Sequence, residues 1–402
     1  MISTAVIFLL AGYVIGRGGL GLIEINTNSQ LVTGFVQLAL FSVLFTDGME
    51  IGLQDLIQVS QLPGRALLLG LPITLAIMAF VAHLFLSITW AEAFLIGAVL
   101  SPTDPVFASA LVSRPEVPLR LRRLLNVESG VNDGIALPIV LTLLAVLGAT
   151  QLDITGWLIE IALGIALGIV VPWVVIKLEQ LPNLEAEGVY EPLEGFTVGI
   201  LVYSLSQLVH ANLFLAAFVS GVMVATLRPK ARDSFLTLGS SVAELLKLAS
   251  LLMFGGIISL EFLFGVGVKE VIFAIVVLLA ARPLAFALAL FKSPLSWRER
   301  LAAAWFGPRG FASVVYGLLV FSANLSRSNY LFKVIAIVIV GSMIAHSSTD
   351  VIIARWFKKT AEKEEKEGDG GDSTEGNHAD AGVDGRGGVD RGEETRQDVG
   401  KV

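Results

Sequence analysis

Apolar runs of about 20 residues follow one another along this chain, and each has the length a helix needs to cross about 30 Å of hydrocarbon. No other feature limits the fold as much. The runs do not alternate at period two, so they predict helices and not barrel strands. About twelve spans can be placed, over 2–16, 30–47, 65–87, 91–112, 121–148, 155–176, 195–210, 212–227, 242–260, 269–291, 299–322 and 331–356. Breaker residues such as Gly18-Gly19, Pro63-Gly64, Pro118 and Pro294 fall between them. The predicted fold class is an all-α polytopic membrane protein. With 54% hydrophobic and 16% charged residues, the composition excludes an ordinary soluble domain. The first run has no basic flank and no A-x-A site, so it is expected to be a retained helix and not a signal peptide.

The absence of cysteine excludes disulfides, thiolate nucleophiles and Cys-ligated zinc. The net charge of -7 lies wholly in the stretch from Thr360 onward, which holds 13 acidic and 6 basic residues. The membrane body is therefore close to neutral, and no nucleic-acid partner is expected. Residues 357–402 contain almost no apolar side chains and are predicted to be a disordered acidic tail. Lysine and arginine collect in alternate loops, among them Arg65, Arg120, Arg122, Arg123, Arg228 and Lys292. This bias predicts cytoplasmic N- and C-termini in the cell membrane.

Two spans carry the same kind of defect. Pro102 and Pro105 interrupt the fourth, and Pro308 in Phe306-Gly-Pro-Arg-Gly310 interrupts the eleventh. Seven spans apart, the two copies run in opposite directions. Interrupted helices in corresponding halves of an inverted repeat mark a transporter's central site. No other internal repeat is evident at this level.

Three carboxylates fall inside the apolar segments near the first break: Asp104, Glu128 and Asp133. Each costs about 2.5 to 3.5 kcal/mol at the centre of a membrane helix, so each needs a partner or a task. In the fifth span Ser129 and Asp133 stand one turn apart on one face, and Glu128 and Asn132 on the neighbouring face. The first stripe, joined by Asp104, Thr103 and freed backbone carbonyls, offers oxygen ligands for a hard monovalent cation such as Na+. Arg282, in the middle of the tenth span, needs a buried anion, and Glu128 is the expected partner. Arg309 stands where exposed helix ends and Asp104 compete for its charge. Glu244 and Lys247, three residues apart in the ninth span, are expected to form a local pair. Gly164 and Gly168 form a small-residue face assigned to no interface.

The ordered set Ser101-Pro-Thr-Asp-Pro105, Asn126-Val-Glu-Ser-Gly-Val-Asn-Asp-Gly-Ile-Ala-Leu-Pro138, Ala281-Arg-Pro283 and Gly307-Pro-Arg-Gly310 resembles the monovalent cation/proton antiporters, in the sodium/proton exchanger branch. The resemblance covers roughly residues 1 to 356. It implies the sodium/proton antiporter fold, an inverted repeat with two crossed broken helices. It also implies a homodimer whose core, about 65–148 and 269–356, slides against a dimerisation domain built from the remaining helices. By the family pattern Asp133, Asp104, Ser129 and Thr103 bind the cation or proton, Asn132 orders Glu128, and Glu128 pairs with Arg282. Sodium-selective relatives often carry Phe-Glu-Gly-Gly where this chain reads Phe45-Thr-Asp-Gly48, which makes Asp47 a candidate for the ion path.

The predicted function is secondary active Na+(Li+)/H+ antiport serving pH homeostasis, with no enzymatic activity and no cofactor beyond the transported Na+ and H+. The partners expected are the lipid bilayer, monovalent cations, protons and a second copy of the chain. The alternatives are a K+/H+ antiporter of the same superfamily and an intramembrane aspartyl protease, whose Gly-x-Gly-Asp pattern is missing here. Electrogenic relatives place a second aspartate before the essential one, paired with a lysine. Here that position is Asn132, and Arg282 keeps its charge, so one-for-one, electroneutral exchange is expected.

Overall fold

The computed structural model describes residues 4–23, 25, 30–50, 52, 61–104, 117–148, 154–179, 191–259, 261–262, 265–323 and 325–369. Pro105 with the second half of the fourth span, Arg114, the acidic loop residues Glu185 and Glu187, and the tail from residue 370 lie outside the described residues.

Helices α1 (Thr4–Ile15), α2 (Gln30–Glu50), α3 (Leu62–Leu86), α4 (Trp90–Leu100), α5 (Leu119–Gly148) and α6 (Ile154–Glu179) account for the first six spans. Then come α7 (Glu191–Leu208), α8 (Leu213–Leu227), α9 (Pro229–Ile257) and α10 (Val268–Ala289). The eleventh span is two helices, α11 (Trp297–Trp305) and α12 (Phe311–Ser322), and α13 (Ser328–Asp369) is the last. Among the described residues, seven helices are long and apolar enough to cross a membrane, and five shorter apolar ones supply the remaining spans.

The fourth and eleventh spans begin alike as well as break alike. At α4 the Thr89 hydroxyl accepts from the Glu92 N–H (3.3 Å), while the Glu92 carboxylate accepts from the Thr89 N–H (2.8 Å). Ser296 and Glu299 repeat this reciprocal cap at α11, with the same distances of 3.3 and 2.8 Å. Each cap satisfies two donors that a helix start would otherwise leave bare.

The repeat extends to α3 and α10, contrary to the expectation that no further copy exists. Ala66-Leu-Leu-Leu-Gly-Leu-Pro72 and Val277-Leu-Leu-Ala-Ala-Arg-Pro283 each form a π turn, Ala66–Gly70 and Val277–Ala281, followed two residues later by proline. A proline inside a helix has no N–H and collides with the carbonyl four residues back, and widening the preceding turn accommodates both defects. The motif was missed because Arg282 stands in one copy where Leu71 stands in the other.

Helices α1, α2 and α6 to α9 pack on one another, with α8 against α2 and α6, and α9 against α1, α2 and α7. A second set packs α4 on α3 and α5, and α10 on α3 and α11. The two sets meet where α2 and α8 touch α5, and where α2 and α9 touch α12. The small-residue face of α6 now has an owner: Gly164 lies against Asn212 and Gly168 against Val219, so it seats α8 within the chain.

The helical end of the chain corrects the reading of 357–402 as wholly disordered. α13 continues to Asp369. The run from Lys358 to Glu367 consists largely of Lys, Glu and Ala, which are strong helix formers and extend a helix already nucleated inside the membrane.

Candidate functional site

The two breaks lie against each other. The Asp104 N–H donates to the Pro308 carbonyl (3.0 Å), and the Asp104 carboxylate accepts from the Phe311 N–H at the start of α12 (3.1 Å). Arg309 reaches the opposite way, donating to the carbonyls of Ser101 (3.2 Å) and Pro102 (3.4 Å) beyond the C-terminus of α4. The negative group thus meets a helix N-terminus and the positive group a helix C-terminus, as helix dipoles favour. Of the two competitors for Arg309, the helix end receives its guanidinium. Gly310 makes the approach feasible, since a Cβ there would overlap the Cβ of Asp104. The Arg309 N–H is held in turn by the Ser342 hydroxyl of α13 (2.9 Å).

Behind this crossing is a dry ion pair. Arg282 donates twice to Glu128, at 2.7 and 2.6 Å, and its Nε donates to the Ala303 carbonyl (3.2 Å). The guanidinium also lies 3.9 Å from the centre of the Phe286 ring. The fork geometry and the extra partners satisfy the charges that burial strips of water.

Thr103 belongs to this buried network. Its hydroxyl accepts from Asn132 Nδ2 (2.8 Å) and lies 3.4 Å from Glu128 Oε1 and 3.1 Å from the Ser129 hydroxyl. With one hydroxyl committed to three neighbours, Thr103 is not among the described residues that face open space. Asn132 thus meets Glu128 through the Thr103 hydroxyl and not by a direct bond.

The open space is a cavity of about 330 Å3 at the meeting of the two helix sets. Three walls are polar stripes at helical spacing: Thr46, Asp47 and Glu50 on α2; Asn126, Ser129, Gly130 and Asp133 on α5; Ser240, Ala243, Glu244 and Lys247 on α9. Asp104 and Phe311 bring the broken helices to it. The structure thus gathers Asp133, Asp104, Ser129 and Asp47 in one chamber. Asp133 holds its backbone carbonyl against the Tyr316 hydroxyl (2.9 Å), while its Oδ1 has no hydrogen-bond partner among the described residues. An acceptor in that state suits a proton or a cation. Among the described residues no group of three or more His, Asp or Glu side chains is set to hold a metal ion.

Lys247 was missed as a member of this chamber. Instead of closing a local pair with Glu244, it faces the cavity with it, and no ion pair joins the two. Ser240, Ala243, Glu244 and Lys247 follow the i, i+3, i+4, i+7 pattern, so a polar stripe in an apolar span was the available signal.

Known proteins resemble this chain over most of its length. The family model described as "Sodium/hydrogen exchanger, transmembrane" matches residues 1–356. The chain is 27% identical over 368 residues to the K(+)/H(+) antiporter NhaP2 of Shewanella sp. (strain MR-4), covering 89% of this chain and 63% of that protein. It is also 27% identical over 365 residues to the K(+)/H(+) antiporter NhaP of Alkalimonas amylolytica, with the same 89% and 63% coverage. The chain thus spans 63% of the length of these relatives. Its backbone matches the sodium proton antiporter MjNhaP1 from Methanocaldococcus jannaschii with a TM-score of 0.73, over 87% of this chain and 91% of that one, at 20% identity. That likeness establishes the fold: an all-helical antiporter architecture with crossed broken helices.

Proposed function

Because this chain belongs to the sodium/hydrogen exchanger family, we propose that it exchanges a monovalent cation for a proton across the cell membrane. Na+ or Li+ is the preferred cargo. The observation that carries this reading is one chamber shared by Asp104, Asp133 and Ser129, with a buried Asp133 oxygen left without a hydrogen-bond partner among the described residues.

Asp133 is the carrier in this reading: it holds either a proton or the cation, never both. Asp104, its carboxylate held by the Phe311 N–H at the start of α12, joins Asp133 in the chamber, and Ser129 offers a neutral oxygen. The Glu128–Arg282 pair and Arg309 hold fixed charge around the crossing, and Asp133 carries the charge being exchanged. Arg282 keeps its proton through the cycle, which favours one-for-one, electroneutral exchange. The positive loop bias supports cytoplasmic termini, and a homodimer is the assembly in which the core would move against a fixed scaffold. The K+/H+ reading stays in play because the bacterial relatives at 27% identity are named K(+)/H(+) antiporters.

The deciding experiment is dequenching of a pH dye in acid-loaded proteoliposomes on addition of NaCl, LiCl or KCl. Alkalinisation by Na+ or Li+ in preference to K+ is expected. A response to K+ alone moves the assignment to K+/H+ exchange, and no response to any of the three rejects antiport.

A further inference from the structure

We propose that Lys247 is a tethered competitor for the transported cation, an ammonium group built into α9 that sets how strongly the chamber binds its ion. This rests on the antiport reading above and adds a specificity determinant to it.

A lysine halfway along a membrane helix needs a reason, since its charge is costly there. The bland reason, a pair with Glu244 one turn away, is not realised. Lys247 turns into the cavity, where the charged groups facing it come from every wall. Asp47 and Glu50 are on α2, Asp133 on α5, Asp104 at the break before α12, and Glu244 on α9 itself. Arg232, toward the Glu50 end, is tied to the Glu50 carbonyl (3.2 Å) and belongs to the mouth. Lys247 is thus the only cationic side chain among the described residues that line the chamber.

An ammonium on a flexible four-carbon stem is a mobile, monovalent cation with a leash. It satisfies the same carboxylates that the transported ion must satisfy, and it can be pushed aside without being lost. Its place on the scaffold helix matters, because Asp104 and Asp133 belong to the other helix set. The lysine therefore meets an empty site electrostatically across the seam and withdraws when the cation enters. If it keeps its proton throughout, it alters affinity and leaves the one-for-one stoichiometry unchanged.

The test uses the full chain in proteoliposomes, with Lys247→Gln, Lys247→Met and Lys247→Arg measured for KM with NaCl and KCl across pH. Removing one positive charge from the chamber is expected to change cation binding by about tenfold. The expected result is a KM for the cation lowered by about tenfold in both neutral variants, with the acid-side limb of the pH profile moved to higher pH because protons bind more tightly too. Lys247→Arg should stay near wild type. Salt-induced thermal stabilisation of the purified proteins should show the same order, a readout that a merely structural lysine would not move. An unchanged or raised KM in folded neutral variants overturns the proposal, as does failure of both neutral variants to fold. Asp133→Asn runs alongside: if it is inactive while Lys247→Gln keeps its KM, only the lysine assignment fails. If Asp133→Asn still transports, the site reading fails and the lysine assignment with it.

Discussion

At the scale of single residues, the chemistry divides between groups that can change state and groups that are locked. Asp133 is the changeable one: it lines the chamber, and its buried Oδ1 has no hydrogen-bond partner among the described residues. Asp133→Asn keeps the size and removes the titration, so exchange should fall to background while the protein still folds and inserts. Proteoliposome transport checks it, and a rate near wild type removes Asp133 from the mechanism. Glu128 and Arg282 are locked, only 2% and 4% exposed and joined by two bonds. Glu128→Gln or Arg282→Gln strands the surviving charge, at a cost of about 3 to 5 kcal/mol. Thermal melts in detergent should show a clear drop for each, and the double change should recover part of it because no isolated charge is left. If neither single change lowers the melting temperature, the pair carries no stability.

At the scale of elements, the important contact is the crossing of the two breaks. It depends on backbone groups that proline frees and on a glycine that leaves room for Asp104. Gly310→Ala should force Asp104 and the start of α12 apart, with overpacking costing about 1 to 3 kcal/mol. Transport should suffer more than stability, because the displaced group is the fixed carboxylate of the site. A variant with unaltered melting temperature and unaltered KM for the cation contradicts this geometry. The crossing was legible in part: Pro102, Pro308 and the odd separation of their spans announce two opposed broken helices. Which charge would face which helix end was not, because Arg309 and Asp104 each had two plausible partners.

At the scale of the whole molecule, the question is how charge moves per cycle. Asn132 is committed to Thr103 (2.8 Å) and Arg282 to Glu128, and in the proposed cycle Asp133 is the carboxylate that exchanges its charge. Exchange should be electroneutral, with a bell-shaped dependence on pH because protons and cations compete for one group. A sustained current on a solid-supported membrane, with the same cation dependence as transport, contradicts one-for-one exchange. The chain beyond the helical end at Asp369 is acidic and nearly free of apolar residues, and its deletion should leave transport intact. A truncated protein that folds and does not transport assigns the tail a role.

What the sequence settled was whatever depends on local pattern. Run length and the lack of period-two alternation fixed helices in a bilayer, since only helices and closed barrels satisfy the backbone there. Proline positions fixed the breaks, and the spacing in Glu128-Ser-Gly-Val-Asn-Asp133 fixed which side chains share a face. Tertiary structure decided the questions of partner and direction. Thr103 stands beside Asp104 in the chain, and it is packing that draws its hydroxyl into the Glu128 and Asn132 network. Lys247 reads as the mate of Glu244, yet both look into a chamber walled by helices far away in sequence. A helix has one face per turn, so spacing tells which residues point together; only the packing of helices distant in the chain tells what they point at.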